Sequence, residues 1–227
     1  IELDAIVSTQ AGQILITASG VVNQNAGGNI STTNSGGVSV DAGGSVTMAV
    51  GTDTTTENGD ITYEASADIT AQTLTSTGAG RITVTADGNV DLQNTVSTVD
   101  SDIEITATTG SITLADDKEI LTTTGTATLG AETNIQLNTG SITAGTSAAL
   151  TATAGAVTQT ADGAQRVTTP ILTATAATGI TLNTTVGSVT GNVTGTGALT
   201  LVEDDAITLT SLMTNDGLIS INAAGTI

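Results

Sequence analysis

The feature that most constrains this chain is a repeat of about 22 residues that runs through most of its length. Short runs in which apolar and polar residues alternate recur at this spacing, and Gly or Asx residues separate them. In one run, Ile82 and Val84 alternate with Thr83 and Thr85. This period of two is typical of a β-strand that buries one face, and Gly or Asx lets the backbone turn. The pattern therefore predicts short strands joined by tight corners.

Three series of apolar anchors can be followed through the repeat, and each series supplies one strand per turn. The first is Val38, Ile61, Ile82, Ile103, Ala127, Leu150, Leu172, Leu199 and Ile219. The second is Val46, Ile69, Val90, Ile112, Ile135, Val157, Ile180, Ile207 and Ile227. The third is Leu74, Val96, Ile120, Ile142, Val167, Val189 and Leu212, and Ile14, Val21 and Ile30 make a first coil. Three strands and three corners per turn predict an all-β, three-sided parallel β-solenoid of roughly ten rungs, about 4.8 Å apart. We expect Ile82, Ile103 and Leu150 to share one inward column.

The alternative is an antiparallel β-sandwich, which also has short strands with frequent turns. Sandwich cores usually contain aromatic residues, whereas this chain has no Phe or Trp and a single Tyr, Tyr63. A sandwich also gives no reason for a coherent repeat of three strands. We therefore expect a narrow core of Ile, Val, Leu and Ala stacks, without room for aromatic rings and without a functional cavity.

The chain begins without Met and stops within a repeat unit. We interpret residues 1–227 as one continuous solenoid segment, a fragment of a larger repetitive protein.

The charge of the chain argues against two classes of partner. The formal net charge is −19, and the only basic residues are Arg81, Lys118 and Arg166. Because affinity for phosphates comes from Lys and Arg, we expect no nucleic-acid binding. The chain has no polybasic segment for an anionic membrane, and its apolar runs are too short to span a bilayer, so we expect no membrane insertion.

Several stretches resemble a known style of repeat. The segments "GRITVTADGNVDL", "AALTATAGAVTQTADG" and "TGITLNTTVGSVTGNVTGTGALTLVEDDAITLT" are similar to the glycine-rich repeats of filamentous-haemagglutinin-like exoproteins and autotransporter passenger domains. Proteins of these families are large bacterial surface and secreted adhesins. The resemblance implies a right-handed parallel β-helix outside the bacterial cell, and it transfers no catalytic residues. A haemagglutinin-type secretion domain is not recognisable, so the export route stays open.

An enzyme is the first functional alternative, because many β-helices are polysaccharide lyases or hydrolases. A lyase needs a strong base with cationic help, and three scattered basic residues do not form a cluster. Hydrolysis needs two carboxylates at a defined separation. The adjacent acidic pairs Asp116-Asp117 and Asp204-Asp205 lie between anchors, where we expect solvated corners. We therefore predict no enzyme, with no catalytic or cofactor-binding residue.

Calcium binding is the second alternative, because oxygen ligands suit this ion and extracellular sites are often weak. The acids at predicted corners are Asp100, Asp102, Asp116, Asp117, Glu119, Glu203, Asp204 and Asp205. Of these, the calcium candidates are Asp116, Asp117, Glu203, Asp204 and Asp205. The calcium β-roll nonapeptide is absent, and acids also keep a rod soluble and monomeric. Our prediction is therefore no cofactor, with calcium as the remaining possibility.

Paired threonines recur about once per rung. The pairs are Thr83/Thr85, Thr106/Thr108, Thr126/Thr128, Thr151/Thr153 and Thr173/Thr175. Such Thr-x-Thr arrays on solenoids resemble ice-binding proteins. Thr is also the polar residue best suited to an exposed strand, and Glu104 interrupts the array.

The sequence favours a rigid, non-catalytic structural stalk or fibre segment of an extracellular bacterial adhesin or surface-fibre protein. One alternative is a self-assembling extracellular filament, sheath or surface-layer subunit, and another is a Thr-ladder ice-binding solenoid. The expected partners are neighbouring rungs of the same giant chain or end-to-end copies of it. A host-cell, surface or matrix ligand is also expected, and the sequence does not identify it.

Overall fold

A computed structural model of the chain describes residues 1–160 and 166–227, and these residues form 27 β-strands and no helix. The strands are β1 (Glu2–Leu3), β2 (Val7–Thr9), β3 (Ile14–Ala18), β4 (Val22–Gln24), β5 (Ile30–Thr32), β6 (Val38–Ala42), β7 (Val46–Met48), β8 (Asp53–Thr56), β9 (Ile61–Ala65), β10 (Ile69–Ala71), β11 (Thr73–Ser76), β12 (Ile82–Ala86), β13 (Val90–Leu92), β14 (Val96–Thr98), β15 (Ile103–Ala107), β16 (Ile112–Leu114), β17 (Glu119–Thr122), β18 (Thr126–Ala131), β19 (Ile135–Gln136), β20 (Ser141–Ala144), β21 (Ser147–Ala152), β22 (Ala156–Thr158), β23 (Val167–Ala176), β24 (Gly179–Val193), β25 (Leu199–Glu203), β26 (Thr208–Thr214) and β27 (Ile219–Ala223).

From β1 to β20, each strand pairs in parallel with the strand three positions further along the chain, whereas β21 pairs with β23 and β22 pairs with β24. Strand β12 pairs with β9 and β15, and β13 pairs with β10 and β16. Ile82 lies opposite Ile61 on one side and Ile103 on the other. Neighbouring strands in sequence therefore belong to different sheets, which excludes the antiparallel sandwich. The predicted parallel β-solenoid of about ten turns is confirmed.

Three parallel sheets form the three sides of the solenoid. Sheet A contains β3, β6, β9, β12, β15, β18, β21, the second half of β23, the end of β24 and β26. Sheet B contains β1, β4, β7, β10, β13, β16, β19, β22, the start of β24, β25 and β27. Sheet C contains β2, β5, β8, β11, β14, β17, β20, the start of β23 and the middle of β24.

Alternation along each strand separates the core from the surface. In β12, Ile82, Val84 and Ala86 are fully buried, whereas Thr83 and Thr85 are partly exposed. Successive strands of a sheet pair in register, so inward side chains stack into continuous Ile, Val, Leu and Ala columns. The alternating pattern and the apolar stacks follow from the two-residue period of the strand.

Two predicted anchors were displaced along their strands. Leu150 does not share a column with Ile103, because it pairs with Leu129, which in turn pairs with Ile105. Val21 is about half exposed, and the next residue, Val22, points into the core. Leu150 lies two residues after Ala148, which continues the Ile103 column, and Val21 lies one residue before the inward residue Val22.

The anchors predicted for the last turns were assigned to the wrong sheets. Leu199 and Ile219 stack on Ile180 in sheet B, and Val189 stacks on Leu172 in sheet A. Leu212 also lies in sheet A, opposite Gly191. The further displaced anchors are Ile207, which lies in the corner after β25, and Ile227, which lies beyond β27. Strands β23 and β24 run for 10 and 15 residues through positions that are corners in earlier turns. These turns therefore use fewer residues, and the spacing of about 22 no longer applies.

The core has room for one aromatic ring, contrary to our expectation. Tyr63 is fully buried in β9, in the column that contains Val40 and Val84. Its hydroxyl group lies 2.6 Å from the Thr54 hydroxyl and donates a hydrogen bond to Gln24 Oε1 at 3.0 Å. A tyrosine is accommodated here because buried polar residues satisfy its hydroxyl group.

The corner between sheets C and A is built from stacked glycines and buried hydroxyl groups. A Cβ on Gly59 would lie 1.9 Å from the carbonyl oxygen of Gly36, so the two backbones touch directly. Thr56 Oγ1 donates a hydrogen bond to the Gly59 carbonyl oxygen at 2.6 Å. Equivalent inward hydroxyl groups belong to Thr32, Ser76, Thr98 and Thr122. Glycine permits the close approach, and the hydroxyl groups satisfy backbone polar groups that the corner removes from the sheets.

Candidate functional site

The predicted threonine pairs are distributed over several positions on and beside sheet A. One outward column contains Thr83, Glu104, Thr128, Ala149 and Thr173 in register. The adjacent outward column contains Thr85, Thr106, Gly130, Thr151 and Thr175. Thr108 and Thr153 lie just beyond the ends of β15 and β21, and Thr126 pairs with Ser147 at the start of β18. Glu104, Ala149 and Gly130 therefore interrupt the proposed array.

Longer hydroxyl columns occur on the other two sheets, where the paired-threonine pattern did not find them. The outward column of sheet B is Thr47, Thr70, Asp91, Thr113, Gln136, Thr158, Thr181, Thr200 and Ser220. The outward column of sheet C is Ser8, Ser31, Thr55, Thr75, Ser97, Leu121, Thr143, Thr168 and Thr185. The available signal is a single hydroxyl residue after most of the second-series and third-series anchors.

Acidic side chains at the corners accept hydrogen bonds from the backbone of the following turn. Asp60 Oδ1 accepts from the Arg81 amide at 2.8 Å, and Asp68 Oδ1 accepts from the Asn89 amide at 2.7 Å. Asp102 Oδ1 accepts from both the amide and the hydroxyl group of Thr126 at 2.8 Å. The Thr126 amide and hydroxyl group lower the pKa of the Asp102 carboxyl. These carboxylates therefore join adjacent turns, in addition to making the rod acidic.

The first calcium candidates, Asp116 and Asp117, occupy an exposed corner between β16 and β17. Asp116 Oδ1 accepts hydrogen bonds from the Thr139 amide at 3.2 Å and the Thr139 hydroxyl group at 2.9 Å. Asp117 has a left-handed backbone with φ of 58°, and its amide donates to Thr139 Oγ1 at 3.2 Å. The geometry therefore directs Asp116 toward the following turn.

The second calcium candidates, Glu203, Asp204 and Asp205, differ in their exposure to solvent. Glu203 is not in a solvated corner, because it is the last inward residue of β25 and is only 2% exposed. Its two carboxylate oxygens accept from the Val186 amide at 3.2 and 3.3 Å, and burial raises its pKa. Asp204 is exposed and forms an ion pair with Arg166 at 3.0 Å, and Asp205 is exposed beside it. In residues 1–160 and 166–227, no group of three or more His, Cys, Asp or Glu residues is arranged to hold a metal ion.

Like charges also stack on sheet A. Asp41 lies directly opposite Glu64 in neighbouring strands, and both line a surface depression of about 330 Å³ with Asp87. Residues 1–132 contain 17 of the 22 acidic residues, whereas residues 133–202 contain one acid and one base, Asp162 and Arg166. Asp162 lies outside the described residues. Electrostatic repulsion is therefore concentrated in the first six turns or so.

We expect sodium chloride to stabilise the solenoid modestly, because neighbouring turns lie well within the screening length of about 8 Å at physiological salt. Hydrogen exchange should slow more in turns formed by residues 1–132 than in turns formed by residues 133–202, which carry few charges. Calcium at matched ionic strength should add little to this effect. A calcium-specific rise of about ten degrees in the melting temperature would instead indicate bound ions, for example at Asp116 and Asp117.

Changing Glu203 to Gln should remove a loss of stability that the last turns of the native chain undergo as the pH rises. Because the pKa of Glu203 is raised in the folded state, its protonated form stabilises the fold at low pH. That contribution is lost as the pH rises through the folded pKa. The variant should therefore melt several degrees above the native chain near neutral pH and close to it in acid, as followed by thermal unfolding across the acidic range.

Asp102→Asn is the control of opposite sign. The lowered pKa of Asp102 means that its charged form stabilises the fold above its ordinary pKa, and this contribution is lost as the pH falls through the folded pKa. Near neutral pH the variant should be less stable than the native chain. It should also lack the decrease in stability that protonation of Asp102 causes in acid. Identical pH profiles for the native chain and Glu203→Gln would contradict the buried assignment of Glu203.

No helix in the described part of the chain is both long enough and apolar enough to cross a bilayer. No family model, curated protein or solved structure matches the chain.

Proposed function

We propose that this chain is a rigid structural stalk or fibre segment of an extracellular bacterial adhesin or surface-fibre protein, without catalytic activity. The observation that carries the proposal is the parallel pairing of successive turns along the whole described chain, as in β9, β12 and β15. Each added turn lengthens such a rod by about 4.8 Å and leaves its cross-section unchanged. Repetition of the sequence therefore produces length, which is the property that a stalk requires.

The surface of the rod supports the same proposal. Outward positions are mainly Thr, Ser, Asn, Asp and Glu, so the sides of the solenoid are hydrated along their length. The acids of residues 1–132 oppose side-by-side bundling through like-charge repulsion. The resemblance to the repeats of haemagglutinin-like exoproteins and autotransporter passenger domains supports a location outside the bacterial cell.

The mechanical part of the proposal is tested by changing the number of turns. Deletion of residues 82–102 joins Arg81 to Ile103, which pairs with Ile82 in the native register, and so removes one full turn. Duplication of the same residues adds one turn. Small-angle X-ray scattering should give rods that are shorter and longer by about 4.8 Å at a constant cross-section. Particles whose length does not follow the number of turns would contradict the proposal.

The location is tested on the bacterium that produces the protein. An antibody against this segment should label intact cells, and immunogold particles should lie away from the outer envelope. Labelling that requires permeabilised cells would contradict an extracellular stalk. Ordered end-to-end polymers of the purified chain in micrographs would favour the alternative of a self-assembling filament.

A second candidate function, ice binding, is favoured by the in-register hydroxyl column of sheet B. This column has Thr at six of nine successive outward positions from Thr47 to Ser220, and Asp91 and Gln136 interrupt it. The measurement is thermal hysteresis of the purified chain. Replacement of Thr158 and Thr181 with Lys should abolish any hysteresis if this column contacts ice, and Thr151→Lys on sheet A is the matched control.

A further inference from the structure

The repeat leaves the register of this solenoid incompletely specified. Inward positions in neighbouring turns carry interchangeable Ile, Val and Ala residues, as in β12 and β15. A slip of one residue would expose the core, but a slip of two residues keeps every apolar residue inside. Corner lengths vary along the chain, so a corner can absorb such a slip. Something other than alternation must therefore select the native register.

Three polar exceptions to the apolar columns meet at one point inside the solenoid. Gln24 points inward from sheet B, Thr54 from sheet C and Tyr63 from sheet A, and each is at most 1% exposed. The three residues come from three successive turns, and each of them replaces an apolar residue in its own column. Thr54 lies between Ile30 and Leu74, for example.

The hydrogen bonds among these residues form one directed chain. The Tyr63 hydroxyl group donates to Gln24 Oε1 at 3.0 Å and so accepts from the Thr54 hydroxyl group at 2.6 Å. Gln24 Nε2 donates to the carbonyl oxygen of Asp53 at 3.0 Å. In the described residues, every buried side-chain nitrogen and oxygen has a hydrogen-bond partner. A slip of two residues in any one of the three sheets would leave these buried groups without partners, which is costly in a dry core.

We propose that Gln24, Thr54 and Tyr63 form a register clamp, which selects one stacking register for the first turns of the solenoid. The clamp acts by penalising the slipped arrangements, because buried polar groups can specify a unique arrangement without adding net stability. This proposal concerns the fold itself and does not depend on the proposed function.

The test reads the register directly from disulfide formation, because the chain contains no native Cys. Ser39 lies opposite Thr62 on the outer face of sheet A. Cysteines at these two positions are about 4.8 Å apart and can form a disulfide bond. Cysteines at Ser39 and Glu64 are about 8 Å apart in the native register, which is too far, and they approach only after a slip of two residues.

The key variant replaces the clamp with apolar residues of similar shape: Gln24→Leu, Thr54→Val and Tyr63→Phe together. In the native background, only the Ser39/Thr62 cysteine pair should crosslink. In the triple variant, the Ser39/Glu64 pair should also crosslink, at a yield of about a tenth or more, while the melting temperature stays close to the native value. Tyr63→Phe alone should lower the melting temperature, because it leaves the Gln24 acceptor unpaired.

The control is Val84→Ala, which weakens the core of the next turn without removing a polar group. This variant should be less stable than the native chain. In its background, only the Ser39/Thr62 cysteine pair should crosslink. The proposal is overturned if the triple variant crosslinks only in the native register, or if Val84→Ala slips as readily as the triple variant. Failure of the triple variant to fold would also overturn it, because the network would then be needed for folding rather than for register.

Discussion

Replacement of Ile105 with Asp is expected to unfold the turns around β15. Ile105 is fully buried, and it stacks between Val84 of the preceding turn and Leu129 of the following turn. A carboxylate placed in this column meets neither water nor a cationic partner, so the loss of stability should be at least about 4 kcal/mol. Because each turn is stabilised by its neighbours, the damage should extend to the turns on both sides.

The measurement is hydrogen exchange together with thermal unfolding, because a repeat protein can open locally without unfolding completely. The matched control is Thr106→Asp, which adds the same charge one residue later on the outer face, opposite Thr85 and Gly130. This control should change stability by about 0.5 kcal/mol or less. A native melting temperature for Ile105→Asp would show that Ile105 does not face the core.

The architecture could be predicted from the sequence because it depends on local signals. Alternation in "RITVTA" identifies which residues face inward, and the recurrence of the same run after 21 residues places Ile103 on Ile82. A two-residue period can be read within one strand, and the repeat length can be read between strands. Neither signal requires information about side-chain contacts.

The last turns could not be predicted because the anchors of different sheets look alike. Leu172 and Leu199 are both followed by Thr and a further apolar or small residue, yet they belong to sheets A and B. The sheet of an anchor is inferred from its spacing, and the spacing changes where β23 and β24 run through the corners. Asn183, Gly187 and Gly191 lie within β24, so Gly and Asx residues there do not mark corners that would distinguish the two assignments.

The buried polar residues could not be predicted for a different reason. A polar residue in a strand pattern predicts an outward side chain or a corner, and on this basis the sequence predicts a solvated corner at Glu203. Whether such a residue can be buried depends on partners from other turns, such as the Val186 amide for Glu203 and Gln24 for Tyr63. These contacts are distant in sequence, and no single strand carries a sign of them.

Replacement of Gly59 with Ala is expected to disrupt the corner between sheets C and A. The added Cβ would lie 1.9 Å from the Gly36 carbonyl oxygen, 2.3 Å from the Gly36 carbonyl carbon and 2.6 Å from the Gly37 nitrogen. All three atoms belong to the backbone of the preceding turn, so no flexible side chain can move away to relieve the clash. The turns must separate locally, which also disturbs the hydrogen bond from Thr32 to the Gly36 carbonyl oxygen. We expect a loss of at least about 2 kcal/mol.

Gly130→Ala provides the control for this prediction, because the same chemical change is made in a glycine with open space around it. A Cβ on Gly130 meets no heavy atom within 4 Å, and the residue lies on the outer face of β18 between Thr106 and Thr151. Since glycine is unfavourable inside a strand, this variant should be neutral or more stable by roughly 0.5–1 kcal/mol. Thermal unfolding of both variants under identical conditions decides the matter. If Gly59→Ala and Gly130→Ala have the same melting temperature, the backbones of neighbouring turns are not in contact at this corner. The close stacking of turns described there would then be wrong.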